Sequence, residues 1–286
     1  MKNTMKPEIT VLMAAYNAEA YVAEAVKSVL EQTYSDFELL VVDDGSTDGT
    51  AKVVRGFKDA RIRYVKREND YIASLNAGIE LARGRYVARM DADDRMHPDR
   101  LRIQHAILEE DTEIDVCGSW ATPFGAKVSR GEWSMRFSGY IAHPLVVLSH
   151  ENFLCHPTVM FRTSFWRQKE LRYEPGYPYA EDYKLWLDIA RKGGRFYIES
   201  QSLLLYRVTD GQQTNRHWLE QTDTSERIRR EAIAALIAGS GTQTEVLNEL
   251  YERMLRLEEE WALPKELLSN CFHRIFGAHV QQESKL

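Results

Sequence analysis

The feature that most limits what this chain can fold into is a rhythm in its first 120 residues. Short β-branched apolar runs alternate with stretches whose apolar residues recur at helical spacing. Ile9 to Ala14 predicts a buried strand. Asn17 then opens a helix in which Tyr21, Val22, Ala25, Val26, Val29 and Leu30 share one face. Phe37 to Val42 predicts a second strand, Ile62 to Val65 a third and Arg85 to Met90 a fourth. Between them, Thr47 to Thr50 offers several caps for a helix ending near Phe57, and Tyr71 to Arg83 predicts a helix stopped by Gly84. Pro98 starts another helix, at a position where proline is tolerated. This alternation predicts an α/β fold with a mostly parallel wound sheet and helices on both faces.

Farther along, Val116 to Ser119, Thr158 to Phe161 and Leu203 to Tyr206 predict strands. Residues 121–140 predict a loop or hairpin, His143 to Ser149 a short helix, and Asp182 to Lys192 a helix closed by Gly193-Gly194. From His217 the chain turns helical and charged, with helices expected over Arg227 to Ile237, Glu245 to Trp261 and Pro264 to Phe276. The expected organisation is a wound domain over 1–215 followed by a helical extension over 216–286. The extension reads as a helical cap packed on the wound domain. Its apolar stripe of Leu267, Leu268, Phe272, Ile275 and Phe276 would also suit a dimer contact or a membrane-facing surface.

Composition excludes some function classes. The net charge of -6 implies no broad nucleic-acid surface. The three cysteines (Cys117, Cys155 and Cys271) form no CxxC pair, which disfavours a disulfide framework or a zinc cage and fits a reducing, cytoplasmic setting. Met1 to Glu8 lacks the apolar core of a signal peptide, and no stretch approaches the length of a membrane span. Contact with a membrane would therefore be peripheral, at its inner face.

Two acid clusters sit at expected strand ends: Asp43-Asp44 and Asp91-Ala92-Asp93-Asp94. In wound parallel sheets, ligands bind at the carboxyl ends of strands. Carboxylates converging there repel one another unless they hold a hard cation or accept from ligand donors. An Asp-x-Asp at such an end suits a divalent ion bridging a diphosphate. The plainer role is capping of the following helices and turns. A third acidic pair, Glu181-Asp182, precedes an amphipathic helix. Its plain role is an N-cap; its chemical role would be a general base, because adjacent, partly desolvated carboxylates hold protons more readily.

In order and spacing these residues match a known pattern. It comprises Val11-Leu12-Met13-Ala14-Ala15-Tyr16-Asn17, Val41-Val42-Asp43-Asp44-Gly45-Ser46-Thr47-Asp48, Asn76-Ala77-Gly78 and Ala88-Arg89-Met90-Asp91-Ala92-Asp93-Asp94. Pro98-Asp99-Arg100-Leu101, His156-Pro157 and Ala180-Glu181-Asp182-Tyr183-Lys184-Leu185-Trp186 complete it. Over roughly residues 8–208 the chain resembles family 2 glycosyltransferases of the GT-A fold, the inverting group that builds bacterial surface polysaccharides. The resemblance implies a nucleotide-sugar half at about 8–120 and an acceptor half at about 121–215. It implies that Tyr16, with the backbone around Ala14 and Ala15, flanks the nucleobase, and that Asp44 accepts from the base, most naturally uracil. Asp91 and Ala92 would line the sugar nucleotide, Asp91 touching the ribose or the metal's water shell. Asp93 would ligate Mn²⁺ or Mg²⁺ with Asp94 nearby. His156 would approach the diphosphate or acceptor, although a structural histidine fits equally. Asp182 would be the base, oriented by Glu181.

Some positions depart from the family pattern. Ala15 replaces a proline common in the first motif. After Tyr206-Arg207-Val208, where many relatives carry a histidine, the chain reads Thr209-Asp210-Gly211, leaving Arg207 or Asp210 as candidates to contribute there. The Gln-x-x-Arg-Trp signature of processive synthases is absent, so transfer of a single sugar is expected. UDP is the expected nucleotide, with dTDP and GDP open. The acceptor would be a carbohydrate or lipid-linked oligosaccharide, and oligomerisation is open. A sugar nucleotidyltransferase is disfavoured because residues 12–20 hold no Gly, Lys or Arg, and a dehydrogenase because no G-x-G-x-x-G follows the first strand. The non-enzymatic alternative is an inactive relative that binds sugar nucleotides or a partner enzyme. Arg67, Arg85 and Arg89 are expected mainly on the surface.

Overall fold

The computed structural model describes residues 6–125, 136–209, 217–264 and 266–283. Among the described residues nine strands form one sheet: β1 (Ile9–Ala15), β2 (Phe37–Asp43), β3 (Ile62–Lys66), β4 (Tyr86–Asp91), β5 (Arg95–Met96), β6 (Val116–Phe124), β7 (Gly139–Tyr140), β8 (Met160–Arg162) and β9 (Phe196–Arg207). The order is β3-β2-β1-β4-β8-β6-β9-β5, with β7 also paired to β9. Strands β1 to β4 run parallel, as does β6 with β9, while β8, β5 and β7 pair antiparallel.

Side chains alternate across a strand, and the two faces find different helices. Ile9, Val11 and Met13, with Leu39, Val41, Ala88 and Met90, join one core with Val22, Ala25, Val26 and Val29 of α1 (Val22–Leu30). Val54 of α2 (Thr50–Gly56) and Leu101 and Leu108 of α4 (Arg100–Glu110) pack there too. On the other face, Leu12 meets α3 (Tyr71–Leu81) so closely that a Cβ on Gly78 would fall 2.4 Å from Leu12 Cδ1. The sheet is thus wound with helices on both faces, as expected.

Several boundaries differ from expectation for local reasons. Asn17 has φ 47 and cannot start a helix; α1 begins at Val22. Pro98 lies two residues before α4, whose N-cap is Asp99. Helix α3 ends at Leu81 without a glycine cap; its start is capped by Asp70, which accepts from Ala73 N–H at 2.9 Å. Gly84 serves close packing instead: a Cβ there would fall 2.4 Å from Thr10 N and 2.6 Å from Tyr86 O. Because both obstacles are backbone, Gly84→Ala is expected to cost about 1–3 kcal/mol, measured as a lower denaturation midpoint. An unchanged midpoint would show that β1 and β4 can separate freely at this point. Strand β9 has 12 residues, far longer than the Leu203 to Tyr206 run, because Phe196 to Glu199 also pair, with Val116 to Ser119 of β6. Helix α6 (Thr163–Gln168) had no clear periodic signal. Residues 126–135 of the expected loop or hairpin lie outside the described residues.

The chain divides into two compact units. The first holds the described residues of Met1–Ile141, Leu154–Glu174 and Gly194–Gln212, and contains the whole sheet. The second holds those of Ala142–Phe153, Pro175–Gly193 and Gln213–Leu286. Its helices are α5 (Pro144–Leu148), α7 (Glu181–Arg191), α8 (Trp218–Ala238), α9 (Thr244–Trp261) and α10 (Glu266–Glu283). Where the sequence suggested one cut at 215/216, these units interleave along the chain. Within the second, Ile233, Ile237, Leu247, Leu268, Phe272 and Phe276 cluster with Val146, so Leu268, Phe272 and Phe276 of the apolar stripe point inward. Leu267 and Ile275 remain exposed. No helix among the described residues is long and apolar enough to cross a membrane.

Candidate active site

Register brings the acid clusters together. Ala15 pairs with Asp43 across β1 and β2, and Ala14 with Asp91 across β1 and β4, so three parallel strands end side by side. Their carboxyl ends carry Tyr16-Asn17, Asp44 and Asp91 to Asp94. The post-strand loops are laced to one another. Asn17 N–H donates to Ser46 Oγ at 3.0 Å, and Thr47 N–H to Asn17 Oδ1 at 2.9 Å. Tyr16 stands above them, 48% exposed and free to meet a flat ligand.

The two acids after β2 separate in role. Asp43 is fully buried and spent on the fold: Ser46 N–H donates to Oδ1 at 2.7 Å and the Tyr64 hydroxyl to Oδ2. Among the described residues Asp44 is bonded through Oδ1 alone, which accepts from Ser74 Oγ at 2.6 Å and Asp70 N–H at 2.9 Å. A carboxylate fixed through one oxygen can offer the other in a set direction.

At the end of β4, Asp91, Asp93 and Asp94 bring carboxylate oxygens within 4.8 Å of one another. Burial raises the proton affinity of Asp93, and the charge of Asp91 raises it further; burial and the charges of Asp91 and Asp93 do the same to Asp94. Asp94 Oδ1 accepts from Arg207 N–H at 2.8 Å, while Oδ2 is buried with no donor among the described residues. An orphaned carboxylate oxygen in an all-oxygen cluster of like charges fits a hard divalent cation. A second acidic group, Glu8, His105 and Glu109, does not carry the same signal. There Arg85 bonds Glu8 at 3.0 Å and Glu109 at 2.7 Å, and the Tyr86 hydroxyl donates to Glu109. The Ala92 side chain is buried in the core, so only its backbone is available to a ligand.

The structure corrects the expectation for Arg89, which is not on the surface. It is 3% exposed, Nη1 lies 2.5 Å from Asp91 Oδ2, and Nη2 donates to the Tyr71 hydroxyl at 2.8 Å. Burial opposes its charge, but Asp91 and Tyr71 more than offset this and hold its proton affinity well above the ordinary value. Arg85 is half exposed, as expected, but ion-paired. Arg100, fully buried, was also missed as a buried cation. It donates from Nη2 to the carbonyls of Arg89 at 2.8 Å and Val159 at 3.2 Å, and from Nε to Gln104 at 3.0 Å. The available signals were an arginine inside an apolar strand two residues before Asp91, and the Arg100/Gln104 pair at i,i+4 spacing.

His156 is 7% exposed, and its Nε2 lies 2.7 Å from the Tyr173 hydroxyl. Burial, aided by the Arg89 charge, keeps it neutral, with its proton affinity well below the ordinary value. The Asn76 motif residue is explained by a reciprocal pair: its Nδ2 donates to Tyr173 O at 2.9 Å and its Oδ1 accepts from Tyr173 N–H at 2.8 Å. Asp210 and Gly211 lie outside the described residues.

In the second unit, Glu181 and Asp182 open α7, and the N-cap is Ala180, without a side-chain bond. Asp182 Oδ1 accepts from Tyr183 N–H at 2.7 Å, and Oδ2 from Asn152 Nδ2 at 3.1 Å. The same helix is fixed by the buried Lys184, whose Nζ lies 2.5 Å from Asp188 Oδ1.

Residues 10–168 match the profile of Glycosyl transferase family 2. The chain belongs to this family. Curated relatives agree. An uncharacterized glycosyltransferase of Haemophilus influenzae is 32% identical, aligning over 85% of this chain and 78% of its own. The putative teichuronic acid biosynthesis glycosyltransferase TuaG of Bacillus subtilis is 29% identical over 74% of this chain and 84% of its own. Among solved structures, residues 1–349 of S. aureus TarS in complex with UDP superpose with TM-score 0.64 at 19% identity, over 88% of this chain and 72% of that one. The mannosyltransferase PcManGT of Pyrobaculum calidifontis, in complex with GDP-Man and Mn²⁺, gives 0.58 at 17% identity over 95% and 87%. At these identities the structural likeness establishes the fold of this family 2 glycosyltransferase, and the family establishes a transferase with the GT-A architecture.

Proposed function

We propose that this glycosyltransferase moves a single sugar from a UDP-sugar to a hydroxyl of a carbohydrate or lipid-linked oligosaccharide acceptor, with inversion, during bacterial surface-polysaccharide synthesis on the cytoplasmic side. The observation that carries the donor half of this reading is the convergence of Asp91, Asp93 and Asp94 beside the ends of β1 and β2. The relative named for teichuronic acid biosynthesis supports the polysaccharide, and the UDP and Mn²⁺ complexes of structural neighbours support the donor class and the ion.

In this reading Tyr16 stacks on the nucleobase and Asp44 presents Oδ2 to a base N–H. Asp93, with Asp91 and Asp94, holds Mn²⁺ or Mg²⁺. When bound, the ion neutralises charge developing on the leaving diphosphate. Asp182 takes the proton of the attacking hydroxyl, and Glu181 and Asn152 orient that carboxylate. His156, buried and bonded to the Tyr173 hydroxyl, takes the structural role rather than touching the diphosphate. One displacement gives inversion, and no covalent glycosyl intermediate is needed.

Calorimetric titration of UDP, GDP and dTDP, each with and without Mn²⁺, tests the donor assignment. UDP binding that requires Mn²⁺ is the expected result. Metal-dependent binding of GDP or dTDP instead would reassign the nucleotide. Absence of metal-dependent binding to all three would remove the metal-diphosphate site.

A further inference from the structure

Arg207 is the last residue of β9 and lies 113 positions from Asp94, yet it grips the Asp93-Asp94 peptide from two sides. Its backbone N–H donates to Asp94 Oδ1 at 2.8 Å, and its Nε donates to the Asp93 carbonyl at 2.7 Å. One arm of the guanidinium, Nη2, reaches Glu24 Oε2 on α1 at 2.6 Å. The cation also lies over two rings, 4.4 Å from the centroid of Phe124 and 4.6 Å from that of Tyr21. Arg95, which follows Asp94, repeats the pattern: it lies 4.4 Å over Phe124 and 3.3 Å from Glu24 Oε2. Strands β6 and β9, helix α1 and the segment after β4 are thereby tied at one point next to the three carboxylates.

We propose that Arg207 is a positioning residue for the carboxylate cluster, holding Asp93 and Asp94 in the geometry that receives the divalent cation. This rests on the metal reading above. The guanidinium directs Nε to the Asp93 carbonyl and Nη2 to Glu24, and its charge eases the ionisation of Asp93. A planar fork can serve the Asp93 carbonyl and Glu24 together while stacking on Phe124; an ammonium cannot hold all three in fixed directions. A cation this close to a metal site repels the metal by Coulomb's law. Because that charge also favours the ionised Asp93, the lysine variant, which keeps the charge but not the planar fork, is the one that separates positioning from charge.

The test is Mn²⁺ affinity, measured by calorimetry in the presence of UDP, for wild type, Arg207→Met and Arg207→Lys, with a thermal melt of each. The expected result is a loss of about 10–100-fold in Mn²⁺ affinity for Arg207→Met, the scale typical of groups that orient ligands. Arg207→Lys should lose at least about 10-fold although its charge is kept. Should the methionine variant fail to fold, the lysine variant decides alone. Unchanged or tighter Mn²⁺ binding in a folded variant overturns the proposal and leaves Arg207 as a repelling charge or a packing residue. Failure of the wild type to take up Mn²⁺ with UDP overturns the metal reading and this proposal with it.

Discussion

Asp93→Ala is expected to lower sugar transfer at saturating donor by about 10³-fold or more, roughly 4 kcal/mol of transition-state stabilisation. Mn²⁺-dependent UDP binding should be lost with it. Asp93 lies with Asp91 and Asp94 in a group whose carboxylate oxygens fall within 4.8 Å of one another, and the nearby Arg89 and Arg207 charges offset their repulsion only in part. Burial and, without a cation, the mutual repulsion of these acids together raise the proton affinities of Asp93 and Asp94. Removing one should not harm the metal-free fold, so a thermal melt without metal is expected at or above the wild-type value. The combination of lost transfer and an undiminished melt separates a ligand from a structural residue. Transfer at near wild-type rate in the alanine variant would exclude Asp93 as a ligand.

The second large effect concerns Asp182. Asp182→Asn should reduce transfer by about 10²–10⁴-fold, the usual share of a general base, while UDP binding stays within about twofold. The amide nearly matches the carboxylate in shape. It can still accept from Tyr183 N–H, so the first turn of α7 should persist. The bond with Asn152 requires an acceptor, and an amide turned to place its NH₂ there loses it. What the variant lacks in every orientation is the capacity to take a proton at neutral pH. Measuring single-turnover transfer beside UDP titration distinguishes the outcomes. A variant with lost UDP binding and a normal rate once loaded would assign Asp182 to the donor and leave the base to another group.

Some of the site was legible because the signal was local. Each acid cluster directly follows an apolar run, and strand ends in a wound sheet are where ligands bind, so Asp44, Asp91 and Asp93 could be singled out from a few neighbouring residues. The split between Asp43 and Asp44 was not legible. Two identical side chains in succession point to opposite faces, and only the neighbours waiting there, Tyr64 and Ser46 for one and Ser74 and Asp70 for the other, decide which is consumed by the fold. Arg89 misled for a related reason: an arginine near a strand end is ordinarily solvated, and its burial depends on finding Asp91 and Tyr71.

By itself the sequence determined the parallel half of the sheet, the helices that cover it, and the acids at its edge, because periods of 2 and 3.6 residues are written in adjacent positions. Tertiary structure alone decided the antiparallel insertion of β8, the full length of β9, and the interleaving of 142–153 and 175–193 with the C-terminal helices. It also decided that Arg207 reaches back across more than a hundred residues to bond the Asp93 carbonyl and Asp94 Oδ1. These features rest on pairings between distant segments. A hydrogen bond from Arg207 to Asp93 exists because two strand ends meet in space, and neither local propensity nor periodicity records that meeting.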